Sequence, residues 1–195
     1  MDIHKFFSTF PIIELKHVTL REIKAEDADD FFTYINHPEV KKYLSDDDAP
    51  ETLERAKNEL SYWAKLFRYK HSIYWAIADK KTDKLIGTCG YNNWSRCHQR
   101  AEISYDLAFE YWGQGIMTEI IGTLCDFAFN NMDAIRIQAT AATENIASLK
   151  VLEKNNFQKE GLLRQFGILH GIKKDFYMCS IIRNDYLLRE ENNVR

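Results

Sequence analysis

The chain has 195 residues, 45% hydrophobic and 28% charged, with a formal net charge of -3 at pH 7. That is one ordinary domain with enough apolar residues for a core, and without the basic field that would draw nucleic acid. No apolar run reaches membrane-spanning length, and Met1–Lys5 lacks the charged-then-apolar order of a signal peptide. No nucleic-acid or membrane partner is therefore expected.

Cys89, Cys97, Cys125 and Cys179 form no C-x-x-C pair and no zinc-spaced cluster with histidine. They are expected as reduced side chains, which fits a cytoplasmic setting, and no metal is expected. Trp63, Trp75, Trp94 and Trp112 are spread along the chain and are expected in the core or in a pocket wall. With only three prolines and eight glycines, no internal boundary is visible. The expected division is an arm over 1–17, one domain over 18–186 and a polar tail over 187–195. Phe6, Phe7, Phe10 and Pro11 suggest that the arm packs on the domain or on a partner.

Val18 to Lys24 reads as a first strand. Glu26, Asp27, Asp29 and Asp30 then open a helix, where acids suit the positive end of its dipole, and His37-Pro38 ends it. A second helix starts near Pro50, with Leu53, Ala56, Leu60, Trp63, Ala64 and Phe67 on one stripe. Three strands follow over Ile73–Asp79, Leu85–Tyr91 and Arg100–Ala108, with a loop at Asn92–His98. In the third, Ala101, Ile103, Tyr105 and Leu107 share one face, and Glu102, Ser104 and Asp106 the other. Beyond a glycine loop, Met117, Ile120, Ile121, Leu124 and Ala128 mark a helix. Ala134–Ala141 is a strand, Asn145–Lys154 a helix, Phe157–Gly161 a strand start, Gly161–Lys174 a loop and Lys174–Ile182 a last strand. The order predicts an α/β fold: a mixed, mostly antiparallel sheet flanked by helices.

Gly113-Gln114-Gly115 lies between a strand and an amphipathic helix. Glycines there let backbone approach a ligand, and the first-turn N–H groups of the helix favour an anion. No Lys-Ser/Thr follows, so this is not a Walker loop, and Thr118 stands where a dinucleotide fingerprint needs its third glycine. A tight turn without a ligand is the alternative, because a bare G-x-G is a weak signal. The histidines His71, His98 and His170 have no partners at nucleophile or metal spacing and are expected at the surface.

The segments Arg100–Tyr105, Tyr111–Glu119, Asn145–Ser148 and Phe157–Gly161 together resemble the GNAT acetyltransferase superfamily, in its RimJ/RimL-like branch of protein N-terminal acetyltransferases. The resemblance spans about Leu20 to Ile182. It implies transfer of an acetyl group from acetyl-CoA to a primary amine. It places the CoA pyrophosphate on the backbone of Trp112, Gly113, Gln114, Gly115, Ile116, Met117 and Thr118, with pantetheine pairing near Leu107 and at Asn145. The broad superfamily pattern falls on Trp112, Gly115 and Met117, and only Gly115 fits it. Binding by side-chain cations at the start of the loop is therefore not expected.

Direct attack of an amine on a thioester needs a route for the amine proton, donors for the oxyanion and an acid for the sulfur. Glu102, on the polar strand face, is the candidate base, and the alternative is a carboxylate paired with Arg100 or Arg96. Relatives often carry a tyrosine for the sulfur where Leu152 stands here; Ser148, one turn into the helix, resembles the serine proposed for that task in the RimL-like branch and is the candidate at the thiolate. Asn145 can also serve as a helix N-cap. Glu160 before Gly161 matches a branch signature, with a structural role expected. Tyr105 and Tyr91 could reach a cleft, although strand-packing aromatics are commoner.

An α-amine has a pKa of about 7.7–8.0 and a lysine about 10.4, so a protein N-terminal α-amine is the easier acceptor for one carboxylate base. The acids Glu26, Asp27, Asp29, Asp30, Asp46, Asp47, Asp48 and Glu51 could attract a basic acceptor, or could simply be solvated helix ends. The alternatives are a small-molecule acetyltransferase and a non-catalytic CoA-binding protein. A monomer or a homodimer is expected.

Overall fold

The computed structural model describes residues 2–45 and 48–193, with only the backbone of 189–193. Its strands are β1 (Ile13–Glu14), β2 (Val18–Arg21), β3 (Tyr74–Asp79), β4 (Leu85–Ser95), β5 (Arg100–Leu107), β6 (Arg136–Ala142), β7 (Gln158–Leu169) and β8 (Ile172–Ile182). The helices are α1 (Ile3–Phe6), α2 (Ala28–Ile35), α3 (Pro38–Lys41), α4 (Leu53–Arg68), α5 (Ile116–Asn131), α6 (Ile146–Lys154) and α7 (Arg183–Asn193). One sheet takes the order β1-β2-β3-β4-β5-β6-β8-β7. Its neighbours are antiparallel except β5 and β6, which are parallel.

Alternation along the strands builds two cores, one on each face. Trp75 and Ile77 of β3 join Ala101, Ile103 and Leu107 against Ile120, Ile121 and Leu124 of α5. Tyr74 and Ala76 face the other way, against Phe31 and Ile35 of α2 and Leu60 of α4. The expected helix stripes are therefore the buried faces. Thr52 caps α4 through its side chain, and Pro38 occupies the first turn of α3 behind the His37 cap.

The N-terminal arm packs on this domain. Phe7 and Phe10 meet Phe67 at ring centroid distances of 5.0 and 4.9 Å, and Phe6 meets Trp94 at 5.3 Å. The Trp75 indole N–H donates to the Pro11 carbonyl at 2.7 Å, and β1 joins the sheet beside β2.

Two expectations are corrected. The segment 161–174 is no loop: β7 and β8 form a long hairpin that turns at His170-Gly171, with Phe166 packing on Phe176. Alternation was masked there by exposure of both faces of β7. The segment 92–98 is only partly loop, because β4 runs on to Ser95 and pairs with Arg100. Among the described residues, 187–193 lie in α7, which Tyr186 anchors by packing on Phe129.

The acid cluster also divides. Asp27 is buried and accepts two hydrogen bonds of 2.8 Å from the Arg21 guanidinium, which also reaches Asp83. It therefore clamps α2 to the sheet and is neither a solvated helix end nor a lure for an acceptor. Asp46 and Asp47 lie outside the described residues.

Candidate active site

The site begins where the sheet fails to close. Strands β5 and β6 pair only through Arg100–Arg136, Ala101–Ile137 and Glu102–Gln138. Beyond Glu102, β5 stays with β4 as far as Leu107, and β6 stays with β8 as far as Ala142. A cavity of about 620 Å³ fills the gap between them. Tyr105 and Leu107 line it from the α5 face of the sheet, and Glu102, Ser104 and Asp106 from the α2/α4 face. The cavity thus has lining from both faces of the sheet.

On the α5 side the glycine loop forms the wall. Gly113 and Gly115 have φ of +73° and +80°. A Cβ at either would meet nothing within 4 Å, so conformation and not room calls for glycine. The side chains of the loop are spent on bracing it. The Trp112 indole N–H donates to the Leu107 carbonyl at 2.7 Å, and the Gln114 amide donates to the Glu110 carbonyl at 2.8 Å. Trp112 also packs edge-on against Phe109. From Gly113 to Thr118, no backbone N–H finds an acceptor among the described residues, and the first that does is Glu119, bonded to Gly115. These donors, at the positive end of a 16-residue helix, suit a pyrophosphate. Lys150 and Lys154 of α6 add positive charge to the cavity lining.

Helix α6 brings in the two polar residues expected from the sequence. Asn145 is its N-cap, accepting from the Ser148 N–H at 3.1 Å. The Ser148 hydroxyl lies 2.8 Å from the Tyr105 hydroxyl, across the gap on β5. Tyr91 takes no part in the cleft, since it is buried and donates to the Leu124 carbonyl at 2.5 Å.

On the opposite face Glu102 accepts from Asn93 at 3.3 Å and from Thr140 at 3.4 Å. Neither suggested arginine pairs with it. Arg96 donates to the Lys70 carbonyl and lies over the Trp94 ring, and among the described residues no ion pair joins Glu102 to Arg100. Its two long hydrogen bonds leave it accessible from the cavity.

Further along the same polar face sits Asp106, a residue that sequence reasoning passed over. It accepts from the Tyr34 hydroxyl at 2.6 Å, the Thr88 hydroxyl at 2.7 Å and the Thr88 N–H at 3.0 Å. Burial raises its pKa, and these three donors oppose the rise. Across from it on α4, burial and the nearby charges of Asp48 and Asp106 push Glu59 up to about 7. The signal for Asp106 was present: a strand inside a domain that carries Glu102, Ser104 and Asp106 on one face has to face a cavity or a polar layer.

The cavity is roofed on this side by Val40, Tyr43 and Leu44 from and just after α3, and by Phe176 of β8. The hairpin tip reaches α3, where the His170 ring lies 3.1 Å from the Lys41 carbonyl. Glu160 stands apart from this chemistry. It occupies a bulge in β7 and makes a two-pronged ion pair with Arg136 at 2.6 and 2.8 Å, while Ser180 donates to it at 2.6 Å. The hydrogen bonds from Arg136, and then from Ser180, hold its pKa down to about 2. This contact pins β7 to β6 and β8, in line with the structural role expected. His71 and His98 are exposed, as is His170, and among the described residues no group of three or more His, Cys, Asp or Glu could hold a metal ion.

Comparisons with known proteins agree with this architecture. A model of the acetyltransferase (GNAT) domain matches residues 17–158. The chain is 35% identical over 174 residues to the uncharacterized N-acetyltransferase YoaA of Bacillus subtilis (strain 168), covering 89% of this chain and 98% of the relative. It is 36% identical over 176 residues to the uncharacterized N-acetyltransferase p20 of Bacillus licheniformis, covering 88% and 96%. Among solved structures it resembles the ribosomal-protein-S5-alanine acetyltransferase of Vibrio fischeri with a TM-score of 0.80 at 28% identity, covering 90% of this chain and 98% of that one. The RimL ribosomal L7/L12 α-N-protein acetyltransferase in complex with coenzyme A shares the fold, with a TM-score of 0.81 at 21% identity over 90% of this chain and 99% of that one. With the split sheet and the free N–H groups at the loop, these matches show that the chain belongs to the GNAT family, as an acetyl-CoA-dependent N-acetyltransferase.

Proposed function

We propose that the acceptor is a protein N-terminal α-amine, and that it attacks acetyl-CoA directly in a ternary complex. The observation that carries this reading is the cavity through the gap between β5 and β6, lined from both faces of the sheet. A donor held by the Gly113–Thr118 backbone and by Asn145 on one face can meet an acceptor entering from the other. No covalent enzyme intermediate is needed. Similarity to a ribosomal-protein-S5-alanine acetyltransferase at 28% identity supports a protein as substrate.

Glu102 is the proposed base, directly or through one water, and Ser148 donates to the sulfur. At neutral pH roughly one α-amine in ten is already neutral, against about one lysine in a few thousand. That difference is about 3 kcal/mol of deprotonation which a single loosely bonded carboxylate need not supply. We also place the chain in a reducing, cytosolic setting, a reading supported by its four free cysteines.

A second reading, with a small amine as acceptor, is favoured by the contact of the hairpin tip with α3, the helix whose Val40 lines the cavity. Turnover of peptides with basic N-termini, set against polyamines and amino acids, separates the two. If only the small amines are acetylated, the protein-terminus reading fails. Calorimetry with acetyl-CoA tests the donor half, and lack of binding at millimolar ligand would defeat it. Glu102→Gln should lower kcat about a hundredfold or more and move the pH–rate profile upward. An unchanged profile would leave Glu102 a structural carboxylate.

A further inference from the structure

The contact between Tyr105 and Ser148 is the only side-chain hydrogen bond among the described residues that crosses from β5 to α6 at the open end of the gap. Beyond Glu102 the strands no longer share a ladder, so this bond is not needed to pair them. Its geometry also differs from a packing contact. The α6 cap is made by the Asn145 side chain on the Ser148 N–H, which leaves the Ser148 hydroxyl out of the cap. That hydroxyl has one proton and lines the cavity, and at 2.8 Å it faces a phenol that has one proton of its own.

We infer that Tyr105 is a positioning residue: its phenol donates to Ser148 Oγ and so aims the serine proton into the cavity, at the sulfur of the bound thioester. The inference rests on the acetyl-transfer reading of the site and on the placement of Ser148 at the sulfur. Between two hydroxyls 2.8 Å apart only one proton can lie on the line joining them. If the serine donated to the phenol, the serine would have no proton for the sulfur, and the phenol's own proton would turn to the Ser148 carbonyl 3.5 Å away. If the phenol donates, the serine proton is free to turn toward the cavity. Burial raises the phenol pKa well above the usual tyrosine value, so it keeps its proton across the working range. The titratable groups around the pair are few. Cys179 on β8 is a thiol whose pKa burial raises, Lys150 lies two residues further along α6, and Glu102 lines the same cavity.

The step balances without consuming a proton of the pair. The amine nitrogen forms a bond to the acetyl carbon, the C–S bond breaks, and its electron pair goes to sulfur. The proton lost by nitrogen passes to Glu102 and on to solvent. The thiolate leaves with the Ser148 hydrogen bond on it and is protonated afterwards from solvent, giving free CoA thiol. The Tyr105–Ser148 pair ends as it began.

The test reads the thiol and needs no knowledge of the acceptor. CoA is bound to the full-length protein, and thiolate absorbance is followed against pH, with the unliganded protein as blank. In the wild-type protein the bound thiol should ionise about one pH unit below free CoA, or about tenfold more thiolate at a given pH. Ser148→Ala should abolish that shift. Tyr105→Phe should abolish it too, and the double variant should match Ser148→Ala alone. Calorimetric affinity for CoA should stay within about threefold in all four proteins, and matching melting temperatures confirm that each is folded.

A wild-type shift that survives in Tyr105→Phe overturns the inference. A loss in the double variant that exceeds Ser148→Ala does the same, because it would mean that Tyr105 acts independently of Ser148. A bound thiol that titrates like free CoA in the wild type also overturns it, and takes the Ser148 role with it. Absence of CoA binding would instead defeat the donor site itself, an outcome that calorimetry reports separately. In multiple-turnover assays with any accepted amine, kcat should fall equally in Tyr105→Phe and Ser148→Ala, with KM for acetyl-CoA unchanged.

Discussion

The two walls of the cavity are built by different means. The α5 wall is backbone: two glycines at positive φ and the unpaired N–H groups from Gly113 to Thr118, all within one short stretch of chain. The α2/α4 wall is side chain: Glu102 with Asn93 and Thr140, Asp106 with Tyr34 and Thr88, and Phe176 brought over by the hairpin. A backbone wall recognises what every reaction of the family shares, the phosphates of the donor. A side-chain wall can be rebuilt residue by residue, and there the identity of the acceptor has to be encoded. Changes in one wall should therefore leave the function of the other intact.

The largest effect should come from attacking the backbone wall. In Gly113→Val/Gly115→Val each substitution forces a β-branched residue to φ near +75°, at about 1–2 kcal/mol apiece. The loop escapes that strain by leaving the ligand-binding shape. Acetyl-CoA affinity measured by calorimetry should fall about a hundredfold. Neither Cβ meets a neighbour, so the melting temperature should fall only by the strain that the relaxed loop retains. Retained affinity would show that side chains, and not N–H groups, hold the donor.

The same contrast explains what the sequence made legible. The donor wall is local, so Tyr111–Glu119 and Asn145–Ser148 could be read as a loop and a helix start without knowing what lay opposite. The helix stripes of α4 and α5 were legible because burial on one side leaves a period near 3.6. The β7–β8 hairpin was not, because β7 is exposed along most of its length and carries no alternation for burial to imprint. Tyr105 could be placed on a strand face, but its bond to Ser148 joins residues 43 positions apart and has no local signature. Asp27 was misread for a similar reason. Its partner Arg21 looks like an ordinary strand residue until the fold buries both, with side chains 8% and 6% exposed.

A middle-sized effect should come from Glu59 behind the acceptor wall. In the folded protein its pKa rises to about 7 from the ordinary glutamate value of 4.5, mainly through burial. The folded state thus keeps a proton that the unfolded chain releases, and stability falls as pH rises from about 4.5 to 7. Glu59→Gln removes that dependence. It should stabilise the protein by about 1.5 kcal/mol at pH 8, after allowance for partial solvent screening, and change nothing below pH 4. Affinity for acetyl-CoA should not move, since the donor wall is untouched. A pH-independent effect in thermal melts would disprove the assignment of a raised pKa.

The smallest effect tests how the hairpin is held in place over the acceptor side. Glu160 is ionised far below the usual carboxylate range, at about 2, because Arg136 grips both of its oxygens and Ser180 donates to one. The sign is opposite to that for Glu59. The unfolded chain takes up a proton near pH 4.5 while the folded one resists, so the contribution of Glu160 is complete above that pH and disappears as pH falls through about 2. The pair is partly exposed, with the Glu160 side chain 42% accessible, so solvent and salt screen it. Glu160→Gln should cost about 1 kcal/mol at pH 7, less in high salt, and nothing near pH 2. Because Ser180 and Arg136 are left with a weaker acceptor, β7 should loosen against β8, and amide exchange should quicken around Gly161 before it does in α5. Equal exchange in both regions would mean that the hairpin and the donor wall move as one body, and that the two walls are not independent.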